Sequence, residues 1–313
     1  MSSGQEAIDR GLDWLGRAQL PTGELPSFAT PLGEAGPAWT PDQLNFITAL
    51  GALALAPCRD QRAEAIIDRA VQFLVEEREW PWLWRYWSTG SSSAHTTPLD
   101  VDDTACCALA VALRGHDPSR NVEVLLASTA ADGRFHTWLL PRGGGLGLRV
   151  WWALRNERRG ATRAMRASLW ETTEASPEDI DGVVNANACR LLGPDLAPSG
   201  AVDWVSSIVE SGTTTEDRWH HSPYVLWAAV ADGARRGIGR FAALGPIVNE
   251  RISEVVQDRG GVGSSLENAL ALNTLLDFEG STETIDRLEA LPQVVVGAVR
   301  GACYTGALEL VLG

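Results

Sequence analysis

The chain has 313 residues, 45% of them hydrophobic, and a formal charge of −14. A chain of this length and composition is globular and can bury one large core, and so acidic a balance argues against general nucleic-acid binding. No apolar run reaches the length of a membrane span, and the first residues (MSSGQEAIDRG) hold no apolar signal core, which points to a cytoplasmic protein.

Apolar periodicity predicts helices over 4–18, 41–56, 59–77, 101–114, 119–130, 179–193, 201–211, 222–236, 240–257, 264–277, 282–290 and 299–312, with almost no strand signal. Six of these are apolar nearly all round: 41–56, 101–114, 179–193, 222–236, 264–277 and 299–312. Helices without a polar face are buried on all sides. The others, such as AEAIIDRAVQFLVEER, carry charge along one side. Two alternating kinds of helix predict an all-α fold, an (α/α)6 barrel with an inner and an outer ring, formed by 1–313 as a single domain. The repeat of roughly 40–60 residues suits paired helices.

A segment from 142 to 178 is too long for a simple connection. It opens with Arg142 and Gly143 to Gly145, and carries Trp151, Trp152 and Trp170. Between 142 and 170, Arg142, Arg149, Arg155, Arg158, Arg159, Arg163 and Arg166 stand against one acid, Glu157. Arg155, Arg159, Arg163 and Arg166 share a helical face by spacing. One reading is an exposed amphipathic helix paired with the acidic body. Others are a lid whose arginine forks grip phosphate oxygens, or a helix lying on an anionic membrane. The triple glycine lacks the spacing of a phosphate-binding loop.

Three carboxylates crowd the start of the fourth helix in Asp100-Val101-Asp102-Asp103-Thr104-Ala105. Such acids can cap a helix and complement its dipole. Repulsion and desolvation also raise carboxyl pKa values, so one member can stay protonated near neutral pH and attack an alkene. Thirteen tryptophans, several clustered, supply faces that pack a core or stabilise a cation. Asp179, Asp181, Asn185 and Asn187 at the sixth helix, and Glu267, Asn268 and Asn273 in the tenth, are polar groups in apolar surroundings that require partners. His95 and the run Trp219-His220-His221 are the candidates for orienting an acid. Five scattered cysteines form no CxxC pair, so buried reduced thiols are expected and no zinc framework.

Asp100-Val101-Asp102-Asp103 resembles the DxDD acid motif of class II terpene cyclases, and the following Thr104-Ala105 is similar to the squalene–hopene cyclase form. Arg10-Gly11-Leu12-Asp13-Trp14-Leu15 with Gln19 and Gly23 resembles the QW repeat of those enzymes, Leu25 standing in place of the final Trp. A weaker echo runs through Arg69-Ala70, Phe73-Leu74 and Trp80 without the Gln. The resemblance implies an α/α barrel in which the QW motif ties an outer helix to the next turn. It implies protonation-initiated cyclisation of a linear isoprenoid, with Asp102 as proton donor and Asp100 and Asp103 tuning it. Candidate substrate contacts are Trp151, Trp152, Asn185, Asn187, His221 and Tyr304. Arg142, Arg149 and Arg155 are candidates for a diphosphate, which favours farnesyl or geranylgeranyl diphosphate over squalene. No cofactor or protein metal site is implied, although magnesium would accompany a diphosphate. Full class II cyclases enclose substrate between two barrels and this chain has residues for one, so the insert or a homodimer must close the cavity. Two other readings stand beside this one: a carbohydrate-active α/α barrel with a second carboxylate from Asp179, Asp181 or Glu267, and a prenyl-lipid-binding scaffold without chemistry.

Overall fold

A computed structural model of the chain describes residues 3–29, 40–141, 147–156, 169–171, 173, 175–213, 219–220 and 222–291. Among these residues the fold is helical apart from one small sheet. The helices are α1 (Ser3–Ala18), α2 (Asn45–Leu55), α3 (Gln61–Glu76), α4 (Val101–Ala112), α5 (Ser119–Leu126), α6 (Leu148–Asn156) and α7 (Gly182–Leu196). They continue with α8 (Ser199–Ser211), α9 (Pro223–Arg235), α10 (Gly239–Ala242), α11 (Gly245–Arg259), α12 (Ser265–Asp277) and α13 (Thr282–Glu289). The predicted helix over 299–312 lies outside the described residues.

Sequence pattern and packing agree on which helices are interior. α2, α4, α7, α9 and α12 lie side by side in that order. The last turns of all five meet at one cavity, and the first turns of α2, α4 and α7 meet at another, so the five run parallel. Parallel neighbours need a return path, and the amphipathic helices supply it. α3 packs on both α2 and α4, α5 on α4 and α7, α8 on α7, and α13 on α11 and α12. α4 shows why an interior helix has no polar face. Val101 and Ala105 join the core built around α7 to α12, while Cys106, Ala108 and Val111 join the core around α1 to α3. Cys106, Cys107 and Cys189 are buried free thiols.

Differences from the periodicity have local causes. The predicted 240–257 helix is two, because Gly245 and Pro246 begin α11 afresh after the short α10; proline suits a first turn, where its missing N–H is not needed. α7 breaks at Gly193 (φ 70°, ψ −175°), since the residue before Pro194 is driven out of the helical region. Strands β1 (Ser27–Ala29) and β2 (Thr40–Asp42) pair antiparallel with Phe28 opposite Pro41, a hairpin without an alternating apolar pattern to announce it.

The Gln19–Gly23 motif joins α1 to α3. Gln19 Nε2 donates to the Gly23 carbonyl at 2.7 Å and to the Ile66 carbonyl of α3 at 3.0 Å. Gly23 sits at φ 95°, and a Cβ there would stand 2.2 Å from the Arg69 carbonyl oxygen. Leu25 is buried and packs against Gly51 of α2. Gly23→Ala therefore combines a left-handed backbone with a backbone clash, and is expected to cost about 2–3 kcal/mol, measured by urea unfolding. Gly16→Ala, where a Cβ meets open space, is the control and should not destabilise.

Candidate active site

Two loops deliver the walls of the cavity at the helix starts, each through a short antiparallel pairing. In the first, Leu44 bridges Trp87, with Asn45 N–H donating to the Tyr86 carbonyl at 2.9 Å and Ser88 N–H to Gln43 at 3.1 Å. That loop is anchored by Arg85, which bonds both carboxylate oxygens of Glu79 and the Thr97 carbonyl. In the second, Asp100 bridges Trp138, Val101 N–H donates to Thr137 and Leu139 N–H to Leu99, both at 2.9 Å. Thr137 N–H then reaches the Asp179 carbonyl at 2.8 Å, carrying the strap onward to α7. Thr104 holds the first loop from below, accepting from Trp84 N–H at 3.3 Å.

The result is a cavity of about 310 Å3 lined by Phe46, Tyr86, Trp87, Trp138, Val184, Trp219 and His220 around the acid cluster. Trp138 meets Trp219 edge-on at 5.5 Å, and Tyr86 meets Trp87 edge-on at 5.0 Å. Phe46 stands 6.1 Å from Tyr86 and 6.2 Å from the His220 ring.

The three acids are satisfied in three different ways. Asp100 is the N-cap of α4, accepting from Asp103 N–H at 2.7 Å. Asp103 shares a hydrogen bond with Asp100, and its Oδ2 has no partner among the described residues. Burial pushes Asp100 up to about 7, an effect that the bond from Asp103 moderates. Burial, then the Asp100 charge and that same bond, push Asp103 well above the usual carboxylate range. Two neighbouring buried carboxyls raised in this way are expected to share one proton near neutral pH. Asp102 is 7% exposed. Its Oδ1 accepts from Asn187 Nδ2 at 2.6 Å, and its Oδ2 lies 3.3 Å from His220 Nε2. Asn187 is itself oriented: Arg190 donates to its Oδ1, which leaves the amide nitrogen facing Asp102. Arg190 Nε in turn donates to Asp232 of α9 at 2.8 Å. Burial opposes ionisation of Asp232, but Arg190, Arg236 and Arg235 outweigh it and hold the carboxyl well below its ordinary range.

Sequence candidates sort by place. Asp100, Asp102, Asp103 and Asn187 come together. Asn185 does not reach the cavity: its amide is spent on the Phe135 backbone N–H and carbonyl and on the Asp181 carbonyl. Trp151 and Trp152 are on α6, meeting edge-on beneath Arg155, with Trp152 41% exposed. Neither they nor Arg149 and Arg155, both exposed, line the cavity. Arg142, His221 and Tyr304, with Arg158 to Arg166, lie outside the described residues. His95 is exposed, and His220 is the histidine that meets Asp102. Of the possible second carboxylates, Asp181 caps α7, Asp179 accepts from Ser176 N–H, and Glu267 closes a capping box with Ser264. None of the three lines the cavity.

Sequence reading missed Trp138, Tyr86 and Arg190. Arg190 had a signal, a charge three residues after Asn187 in an apolar helix; Trp138 had only its residue type. Among the described residues no group of His, Cys, Asp and Glu is arranged to hold a metal ion, and no helix is long and apolar enough to cross a membrane. No protein-family model and no curated protein matches the chain.

The shared proton has a measurable consequence. A carboxyl with a raised native pKa contributes stability that is complete below its unfolded pKa and is lost as pH rises through the native value. Asp103→Asn keeps a donor toward Asp100 and removes one ionisation. The wild-type Tm minus the variant Tm is therefore expected to fall between pH 5 and pH 8 by at least about 2 °C in calorimetry. A difference independent of pH would show that the pair does not share a proton.

Proposed function

We propose that the protein is a class II terpene cyclase that starts the ring closure of a linear isoprenoid by protonating its terminal alkene. The observation that carries the reading is Asp102, an almost dry carboxyl facing an aromatic cavity, held by an amide on one oxygen and an imidazole on the other.

The chemistry follows from where charge moves. Protonation of an alkene places a positive charge on carbon and a negative one on the acid. Asp102 gives up its proton to the substrate, and the carboxylate left behind is already met by the Asn187 N–H, whose direction Arg190 fixes. A donor placed before the charge develops costs no reorganisation when it appears. His220 at the other oxygen stabilises the carboxylate and carries the replacement proton. The proton shared by Asp100 and Asp103 keeps the cluster from accumulating charge that would oppose ionisation of Asp102. The cation travels among ring faces of Trp138, Trp87 and Phe46, whose quadrupoles stabilise it. Thr97 and Thr137 line the same cavity, with hydroxyls unpartnered among the described residues. They offer a place for an ordered water to take the terminating proton.

Five parallel interior helices among the described residues support an (α/α)6 barrel; the sequence expects its sixth inner helix at 299–312, outside those residues. A cavity of about 310 Å3 is at the low end for organic ligands, which favours a short chain such as farnesyl diphosphate over squalene. The carbohydrate reading asks for a second carboxylate at the cavity, and the described residues offer only the DxDD cluster.

The test is incubation with farnesyl diphosphate, geranylgeranyl diphosphate and squalene, with product analysis. Asp102→Asn is expected to lower turnover by about 10²-fold or more, the scale of a lost general acid, while isoprenoid binding persists. Turnover unchanged in the variant, or no cyclic product from any of the three, would sink the assignment; binding without turnover in the wild type would favour the lipid-binding scaffold.

A further inference from the structure

The C-terminal parts of α2, α7, α9 and α12, with Leu113 just after α4, line a second cavity, of about 290 Å3, whose lining shares no residue with that of the acid cavity. One side is apolar, with Leu50, Leu53 and Leu113. The other carries three guanidiniums, of Arg190, Arg235 and Arg236, against two carboxylates, of Asp232 and Asp277, so it is one positive charge in excess. Asp232 is saturated: Arg235 donates to Oδ1, and Arg190 and Arg236 both donate to Oδ2 at 2.8 Å. Arg236 uses only Nε for this, and its two terminal nitrogens have no partner among the described residues.

Asn273 supplies the independent sign of a ligand. It interrupts the apolar face of α12, is 7% exposed and lines this cavity, yet neither its amide oxygen nor its amide nitrogen has a partner among the described residues. Buried amides are nearly always hydrogen-bonded. One donor and one acceptor beside an open guanidinium fork call for a group that accepts strongly and also donates.

We propose that this cavity binds a small oxyanion bearing an O–H, a phosphate monoester held as its monoanion. Its oxygens accept from the Arg236 fork and from Asn273 Nδ2, its hydroxyl donates to Asn273 Oδ1, and a short hydrocarbon body rests on Leu50 and Leu53. Planar guanidinium forks suit phosphate oxygens. The inference is independent of the cyclase reading, because the site lies at the opposite end of the helices and the test reads binding.

Inorganic phosphate is the probe, titrated calorimetrically into the full chain near neutral pH at constant ionic strength, with sulfate, which has no O–H there, as comparison. Saturable one-site binding that prefers phosphate over sulfate is expected. Arg236→Gln, at a partly exposed position where Arg190 and Arg235 still hold Asp232, should weaken it by about tenfold, the worth of one charge-assisted hydrogen bond. Asn273→Leu should weaken it comparably. The proposal is overturned if phosphate gives no saturable heat at millimolar concentration, if Arg236→Gln binds as the wild type does, or if sulfate binds equally well.

Discussion

Placing Asp100, Asp102 and Asp103 within the first turn of a helix that has no polar face obliges the surrounding chain to satisfy three carboxyls out of reach of bulk water. The helix end takes care of one, since Asp100 caps its own backbone. A proton shared with Asp100 is the expected answer for the second. Asp102 is left, and meeting its needs organises much of the interior. It requires Asn187 from α7, Asn187 requires Arg190 to set its amide, and Arg190 requires Asp232 from α9. Charges removed from water are costly unless each is paired and hydrogen-bonded. This chain of bonds spans three neighbouring interior helices, each polar residue on it satisfied by the next.

The parallel arrangement gives the interior two different ends. At the helix starts, loops pair briefly with the segments entering α2 and α4, and so lay Tyr86, Trp87 and Trp138 over the acids. At the helix ends, arginines of α7 and α9 gather around Asp232. Helix N-termini favour negative charge and C-termini positive charge, so acids at one end and arginines at the other follow the polarity of the backbone. Asp232 departs from that rule, and three guanidiniums compensate it.

Much of the helical framework was legible from periodicity, because α3 and α4 differ in a way that is local to each: one has a charged side and the other has none. The acid cluster was legible for the same reason, as contiguous residues of unusual type. Asn185 and Asn187 mark the limit. Two residues apart on one helix, they point to nearly opposite sides, and which side faces Asp102 depends on how α7 is rotated against α4. Asn185 turned to the Phe135 backbone and Asn187 to the acid. Tryptophans posed the same difficulty. Trp151 and Trp152 looked suited to a cation because they are paired beside arginines, yet in the fold they lie under Arg155, and Trp87, Trp138 and Trp219 are delivered to the cavity instead.

Read alone, the residues determined most of the helical segments among the described residues, which of those are interior, and that one helix begins with a crowd of acids. These properties depend on neighbours within a few turns, where spacing along the chain translates directly into a face or a charge density. Tertiary structure decided the partners of Asp102, which come from 85 and 118 residues away, and the aromatic side chains that surround it. Contacts at that separation are set by the rotation and stacking of whole helices and by brief backbone pairings between loops, and no local pattern of residue types carries that information.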